Sequence, residues 1–295
     1  MANLKDIKKR INNVGVIEKI TNSMKAISTA RLGVIKNLLH NSKDYYTSSA
    51  NTFGFMFNLY NNIKLQDSIL YNFLFTKKQD LQNPLIIFIA SDKGLCGGYN
   101  VNVFKEVKKQ LLQYTQACFL PIGNKASYFS KKLSNNKVIN LGISSDIKKF
   151  SFDDIAILVD AIVEQINANN IDGIKIISTE NISVLEQKIV LEDVVELLHK
   201  LSLQANENKN SYVATDFKGL QHNIEYFLTN FLSYVLYKKL TLSFLSEYSA
   251  RLNAMDGANE NCKQLQKDLK LEYNRTRQGL ITKELIEIIS GSESV

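Results

Sequence analysis

Only two prolines, Pro84 and Pro121, interrupt a chain of 295 residues. A proline inside a helix removes a backbone hydrogen bond and clashes with the turn before it, at a cost of roughly 3 kcal/mol. Residues 1–83 and 122–295 are therefore free to run helical over long distances. In the C-terminal stretch Tyr248, Met255, Cys262 and Leu269 recur every seven residues, with Leu245 and Leu252 set between them. That spacing is a coiled-coil seam. Near the N-terminus Leu4, Ile7, Ile11, Val14, Ile17, Ile20, Met24 and Ile27 step by three or four, which predicts the arm that lies against it.

The pattern changes at Pro84. Residues 85–90 are continuously apolar, as in a strand buried on both faces. Further strands are expected at 117–122, 138–141 and 173–178, alternating with helices at 101–114, 125–133 and 153–169, the last capped near Ser151. Alternation of this kind implies a mostly parallel sheet with helices on its faces. Residues 183–195 read equally as a long edge strand or a helix, and the polar stretch 204–211 as a loop. From about Tyr212 the helical pattern returns and runs to Ile289. The expected fold is an α+β and α/β composite: a long antiparallel α-helical coiled coil formed by both termini, plus a central Rossmann-like α/β domain. Its expected parts are an N-terminal helix at 1–60, the α/β domain at 70–203, a link at 204–211 and a C-terminal helix at 212–295.

The net charge of +7 is concentrated in one place. Residues 1–40 hold eight Lys or Arg against two acids, and Lys8, Lys9, Arg10, Lys19, Lys25 and Arg31 make a basic arm. A solvated helix face accounts for such a run, as does an acidic protein partner, nucleic acid or anionic lipid. Nucleic acid is the weakest of these, because no helix-turn-helix, zinc finger or aromatic RNA-binding signature accompanies the charge. No apolar run is long enough to span a bilayer, and Asp6 and Glu18 argue against a signal peptide. Three scattered cysteines (Cys96, Cys118, Cys262) suggest reduced thiols in a cytosol-like compartment.

Catalytic chemistry is hard to find. The loop at 92–100 lies between a strand and a helix, where α/β proteins often hold phosphate, yet Gly94, Gly97 and Gly98 fit neither G-x-G-x-x-G nor a P-loop. A tight turn is the plainer reading. His40, His199 and His222 form no metal spacing with each other or with the cysteines. No metal or cofactor is expected. Two clusters remain that a plain coiled coil does not explain. Residues 19–32 are rich in small side chains that permit close helix approach. Residues 275–291 set an apolar stripe (Leu280, Ile281, Leu285, Ile288, Ile289) beside polar groups able to make specific hydrogen bonds.

These clusters resemble the gamma-subunit family of F-type ATP synthases. Ile281, Thr282, Glu284, Glu287 and Gly291 fill that family's C-terminal signature, with Ser292 standing where Ala is usual. Ile20-Thr21 with Met24, the block at 91–100 and the block at 249–255 match in order. The resemblance implies a non-catalytic rotor shaft that couples proton translocation to ATP synthesis or hydrolysis at beta-subunit sites. The implied partners are the alpha and beta subunits of the catalytic hexamer, the epsilon subunit and the ring of c subunits. Met24, Arg251, Gln278 and Thr282 are then rotor–stator contacts, with Ile281 and Leu285 on the apolar tip, and the basic arm faces an acidic beta-subunit loop. The implied location is peripheral, on the cytoplasmic side of a bacterial inner membrane or the matrix side of a mitochondrial one. Two competing readings are a nucleotide- or phosphate-binding α/β protein using the loop at 92–100, and a scaffold coiled coil for membranes or DNA.

Overall fold

The computed structural model describes residues 4–63, 69–75, 81–114, 116–133, 137–146, 151–183, 186–197, 200 and 220–292. The expected link at 204–211 lies outside them, as does His199. The chain divides into two compact units, Met1–Ala30 with Arg251–Val295, and Arg31–Ala250. Two helices, α1 (Leu4–Ile63) and α6 (Leu220–Ser292), contribute to both.

In the larger unit β1 (Pro84–Ile89) is buried at every position, as its continuous apolar run requires. It pairs in parallel with β2 (Cys118–Ile122) on one side and β4 (Gly173–Asn181) on the other, with Ile86 opposite Phe119 and Ile87 opposite Ile176. β3 (Lys137–Val138) extends the sheet beyond β2, and β5 (Gln187–Asp193) runs antiparallel along β4. The strand order is β3-β2-β1-β4-β5. Helix α3 (Tyr99–Gln113) and α4 (Asn124–Ser130) lay Val103, Val107 and Ala126 against Ile86, Phe88 and Phe119. Successive strand residues point to opposite faces, so the equal burial of Leu85, Ile87 and Ile89 means that both faces of β1 are covered. Helix α2 (Ile69–Phe75) packs on α5 (Phe152–Asn167), which is the capped helix expected from Ser151. The Ser151 hydroxyl accepts from the Asp154 N–H at 3.3 Å, and the Asp154 carboxylate accepts from the Ser151 N–H at 2.7 Å. Both halves of a capping box are present.

Two strand expectations change. The third strand ends at Val138 rather than continuing to 141, because the chain turns away through Asn140 and Gly142, whose φ is +68°. Within the ambiguous stretch 183–195, Gln187–Asp193 form a strand, tied to β4 from the Asn181–Gln187 pair to the Lys175–Asp193 pair, and a helical turn begins at Val194.

In the smaller unit the two helix ends run antiparallel. Lys25 pairs with Asp256, Asn22 lies within 3.5 Å of Asn259, and the Gln266 amide donates to Glu18 at 2.7 Å. As residue numbers fall on α1 they rise on α6. The seam on α6 follows the heptads: Met255 and Leu269 are buried, and Cys262 is half-buried. On α1 the seam departs from the expected apolar stripe. Its buried positions are Ile7, Val14, Thr21 and Ser28, each seven residues after the last, while Ile17, Ile20 and Ile27 stay about half exposed. The apolar residues at 17, 20 and 27 sit one position before the seam, so Glu18, Thr21, Lys25 and Ser28 take the inner places. Small hydroxyls fit there because each returns its proton to its own helix, Thr21 to the Glu18 carbonyl and Ser28 to the Met24 carbonyl, both at 2.9 Å.

Candidate functional site

Doubly wound sheets bind ligands outside the C-terminal ends of their strands, where the strand order reverses. Here the reversal lies between β1 and β4. That crevice holds part of the chain itself. Beyond Ile177 β4 has no pairing with β1, and α6 takes its place. The Thr179 N–H donates to the Ser243 hydroxyl at 3.2 Å, and the Ser246 hydroxyl donates to the Thr179 carbonyl at 2.9 Å. On the β1 side Cys96 and Tyr99 pack against Ala250, and the Tyr99 hydroxyl lies 3.4 Å from the Ser243 carbonyl. Between Phe231 and Ala250 nearly every residue of α6 is buried. A helix enclosed on all sides behaves as core rather than as a surface element.

The phosphate-like position at the start of α4 is also filled. Asp92 accepts from the Asn124 N–H at 2.9 Å, from the Ser145 N–H at 3.0 Å and hydroxyl at 3.1 Å, and from the Ser144 hydroxyl. A nucleotide phosphate would seek these same donors. Within the loop at 92–100 the Asn100 side chain accepts from the Ser91 N–H at 3.0 Å and donates to the Ser91 hydroxyl at 2.7 Å, which ties the two ends of the loop together as a tight turn. Partial burial pushes the Asp92 carboxyl up, but the bonds from Ser144, Asn124 and Ser145 more than offset it and hold it below the ordinary carboxylate value. A carboxylate of this kind stabilises the fold above its unfolded pKa, and that contribution disappears as pH falls through the folded one. Urea midpoints of the wild type should therefore fall more steeply at acidic pH than those of Asp92→Asn. At neutral pH, Asp92→Ala should cost roughly 2 kcal/mol through the stranded donors. Parallel pH curves for wild type and Asp92→Asn would refute this.

The expected partner-contact residues are distributed along the two helices. Arg251 is 4% exposed and Met24 is half-buried. Gln278, Thr282, Ile281 and Leu285 lie in a stretch, 277–290, in which every residue is exposed. The Thr282 hydroxyl donates to the Gln278 carbonyl at 2.9 Å, which leaves its lone pairs open to an outside donor. In the basic arm Lys8, Lys9, Arg10 and Lys19 are exposed. Two members of the arm have partners within the chain: Lys25 pairs with Asp256 and Arg31 with Asp146. Arg10 lines a cleft with Asp268 and Glu272.

Sequence reasoning missed Lys239, Ser243 and Ser246. The signal was present: polar residues at helical spacing inside the largely apolar run from Phe231 to Tyr248. Among the described residues no group of three His, Cys, Asp or Glu is placed to hold a metal ion. His40 is exposed. Cys96 and Cys118 are buried, and burial pushes the Cys118 thiol up, away from reactivity.

A family model described as ATP synthase matches residues 3–295. The chain is 32% identical over 303 residues to the ATP synthase gamma chain of Campylobacter jejuni subsp. jejuni serotype O:23/36 (strain 81-176), covering 100% of both chains. It is 30% identical to the ATP synthase gamma chain of Amoebophilus asiaticus (strain 5a2), covering 100% of this chain and 99% of that one. Among solved structures it is similar to a chain of the Euglena gracilis mitochondrial ATP synthase OSCP/F1/c-ring assembly in rotational state 3. That match has a TM-score of 0.65 at 17% identity and covers 99% of this chain and 94% of the other. A chain from the rotor of the same enzyme in rotational state 1 matches with a TM-score of 0.63 at 16% identity, covering 94% and 98%. With end-to-end matches in sequence and a mixed sheet between helical termini, the chain belongs to the ATP synthase gamma-chain family.

Proposed function

We propose that this chain turns as the central shaft inside a hexamer of alternating alpha and beta subunits, with a c-subunit ring and the epsilon subunit at its foot. It is a non-catalytic central-stalk rotor subunit. ATP chemistry belongs to the beta subunits, and the shaft biases each of their sites in turn. The observation that carries this reading is apolar surface left uncovered on the coiled-coil unit. Ile17, Ile20 and Ile27 on α1, and Ile281, Leu285, Ile288 and Ile289 on α6, are each 47% exposed or more. Switching a two-state site from 1:99 to 99:1 takes about 5.5 kcal/mol of differential contact, which corresponds to about 220 Å² of apolar surface. A few half-exposed isoleucines meet that requirement. A single asymmetric shaft offers this surface to one site at a time.

No described helix is long and apolar enough to cross a membrane. The proposed position is peripheral, at the cytoplasmic face of a bacterial inner membrane, where the exposed cations Lys8, Lys9 and Lys19 meet an acidic loop of a beta subunit. Such an exposed attraction weakens as salt rises.

Gln278 and Thr282 are proposed to hydrogen-bond that stator. Replacing both by Ala in a reconstituted complex should leave subunit stoichiometry intact and lower ATP hydrolysis about tenfold, the equivalent of one to two lost hydrogen bonds. Unchanged hydrolysis in a fully assembled complex would remove these two residues from the contact. Failure of the chain to co-purify with alpha and beta subunits would remove the proposal itself.

A further inference from the structure

The crevice-filling contact between α6 and β4 does more than bury surface. Lys239 is 7% exposed, and its ammonium reaches two carboxylates on neighbouring strands, Glu180 of β4 at 2.8 Å and Glu192 of β5. One and two turns further along the same helix face, Ser243 and Ser246 hold the backbone of Thr179. The three side chains are spaced by four and then three residues, so they form one polar stripe. Past the end of β1, this stripe takes that strand's place along β4. Directional bonds of this kind resist sliding, which apolar packing between smooth surfaces does not, because hydrophobic contact is non-directional.

Resting on the rotor reading, we infer that Lys239, Ser243 and Ser246 are positioning residues: a latch that fixes the angle between the turning helix α6 and the sheet it carries. The stripe grips β4 at Thr179 and Glu180, and through Glu192 it also grips the edge strand. Rotation of the helix about its axis would have to break the two serine bonds and both ion pairs together. Burial disfavours the charge on Lys239, but its hydrogen bonds to Glu180 and Glu192 prevail and keep it charged. Burial, and then the charge on Lys239, push the neighbouring Lys238 ammonium the other way.

Single-molecule rotation of the assembled ATP synthase tests this. A bead is attached through Tyr128→Cys, a position 65% exposed on α4, in a Cys262→Ser background. During each catalytic dwell, the angular variance of the bead reports the compliance between sheet and shaft. Ser243→Ala/Ser246→Ala should widen that variance about twofold or more by freeing the end of β4. Lys239→Met should widen it by a similar factor, and Lys239→Arg, which keeps the charge, should stay near wild type. A purely structural role would lower the yield of assembled complex without changing the variance of the molecules that assemble. Variance equal to wild type in both the double serine variant and Lys239→Met overturns the latch. A wild-type bead that never rotates under ATP overturns the rotor reading instead, so the two failures are distinguishable.

Discussion

Replacing Gly123 by alanine should lower the unfolding free energy of the sheet unit by roughly 4 kcal/mol. Gly123 has φ +94° and ψ 151°, a region of backbone space open essentially to glycine alone. A Cβ built there would lie 2.1 Å from the Ala90 carbonyl oxygen and 2.8 Å from the Ser145 hydroxyl. Neither the backbone of β1 nor that of β2 can move aside cheaply. The Ala90 N–H donates to the Ile122 carbonyl at 3.0 Å, and the Gly123 N–H donates to the Ile143 carbonyl at 2.9 Å. Any shift also disturbs Asp92, which binds the next residue's N–H and both Ser144 and Ser145. Gly33 is the control. Nothing lies within 4 Å of its would-be Cβ, and it sits within α1, so Gly33→Ala should stabilise by about 0.5–1 kcal/mol. Urea denaturation followed by circular dichroism separates the two. A Gly123→Ala protein within 1 kcal/mol of wild type, a margin well inside the expected loss, would show that the loop relaxes freely.

The same contrast between local and long-range information explains what the sequence makes legible. β1 and β2 could be read from their apolar runs because a strand covered on both faces leaves no polar position to confuse the pattern, whereas β4 runs on past the expected 178 through the polar Thr179, Glu180 and Asn181. β5 alternates poorly: Ile189 and Val190 are adjacent and both half-buried, so neither a period of two nor one of 3.6 stands out. The α6 seam is apolar at Met255 and Leu269 and was found by counting sevens. The α1 seam is apolar at Ile7 and Val14 but polar at Glu18, Thr21, Lys25 and Ser28. There, following hydrophobicity leads to the outward face, at Ile17, Ile20 and Ile27, which is surface that the partner reading requires. The polar stripe within the apolar run of α6 was legible, but the crevice that it fills was not. Tyr99 and Ser243 are 144 residues apart, and no local pattern states that one will reach the other. The family resemblance supplied the partners, while the chain's own chemistry supplied only the lack of a catalytic constellation.

Arg31→Met is the second large effect, expected to cost about 3 kcal/mol. Arg31 belongs by sequence to the basic arm, yet its side chain is 16% exposed and pairs with Asp146, itself 14% exposed. It also donates to the Tyr248 hydroxyl at 3.1 Å, with its guanidinium 5.6 Å from the centre of that ring. Tyr248 in turn lies 3.4 Å from the Asp146 carboxylate, so α1, α6 and the loop after β3 meet at one knot. Methionine keeps the apolar stem but leaves Asp146 buried beside a neutral neighbour. Much of the cost should therefore come from a buried carboxylate deprived of its neighbouring cation rather than from a lost attraction. It follows that Arg31→Met/Asp146→Asn should be more stable than Arg31→Met alone, a coupling of roughly 1–3 kcal/mol in a double-mutant cycle. Lys25 provides the comparison. Its pair with Asp256 is 40% and 49% exposed, and Lys25→Met should cost no more than about 1 kcal/mol, less at high salt. If the Arg31 and Asp146 substitutions prove additive, or if Arg31→Met costs as little as Lys25→Met, the knot contributes no more than an ordinary surface pair. Arg31 would then return to the solvated arm in which its sequence context first placed it.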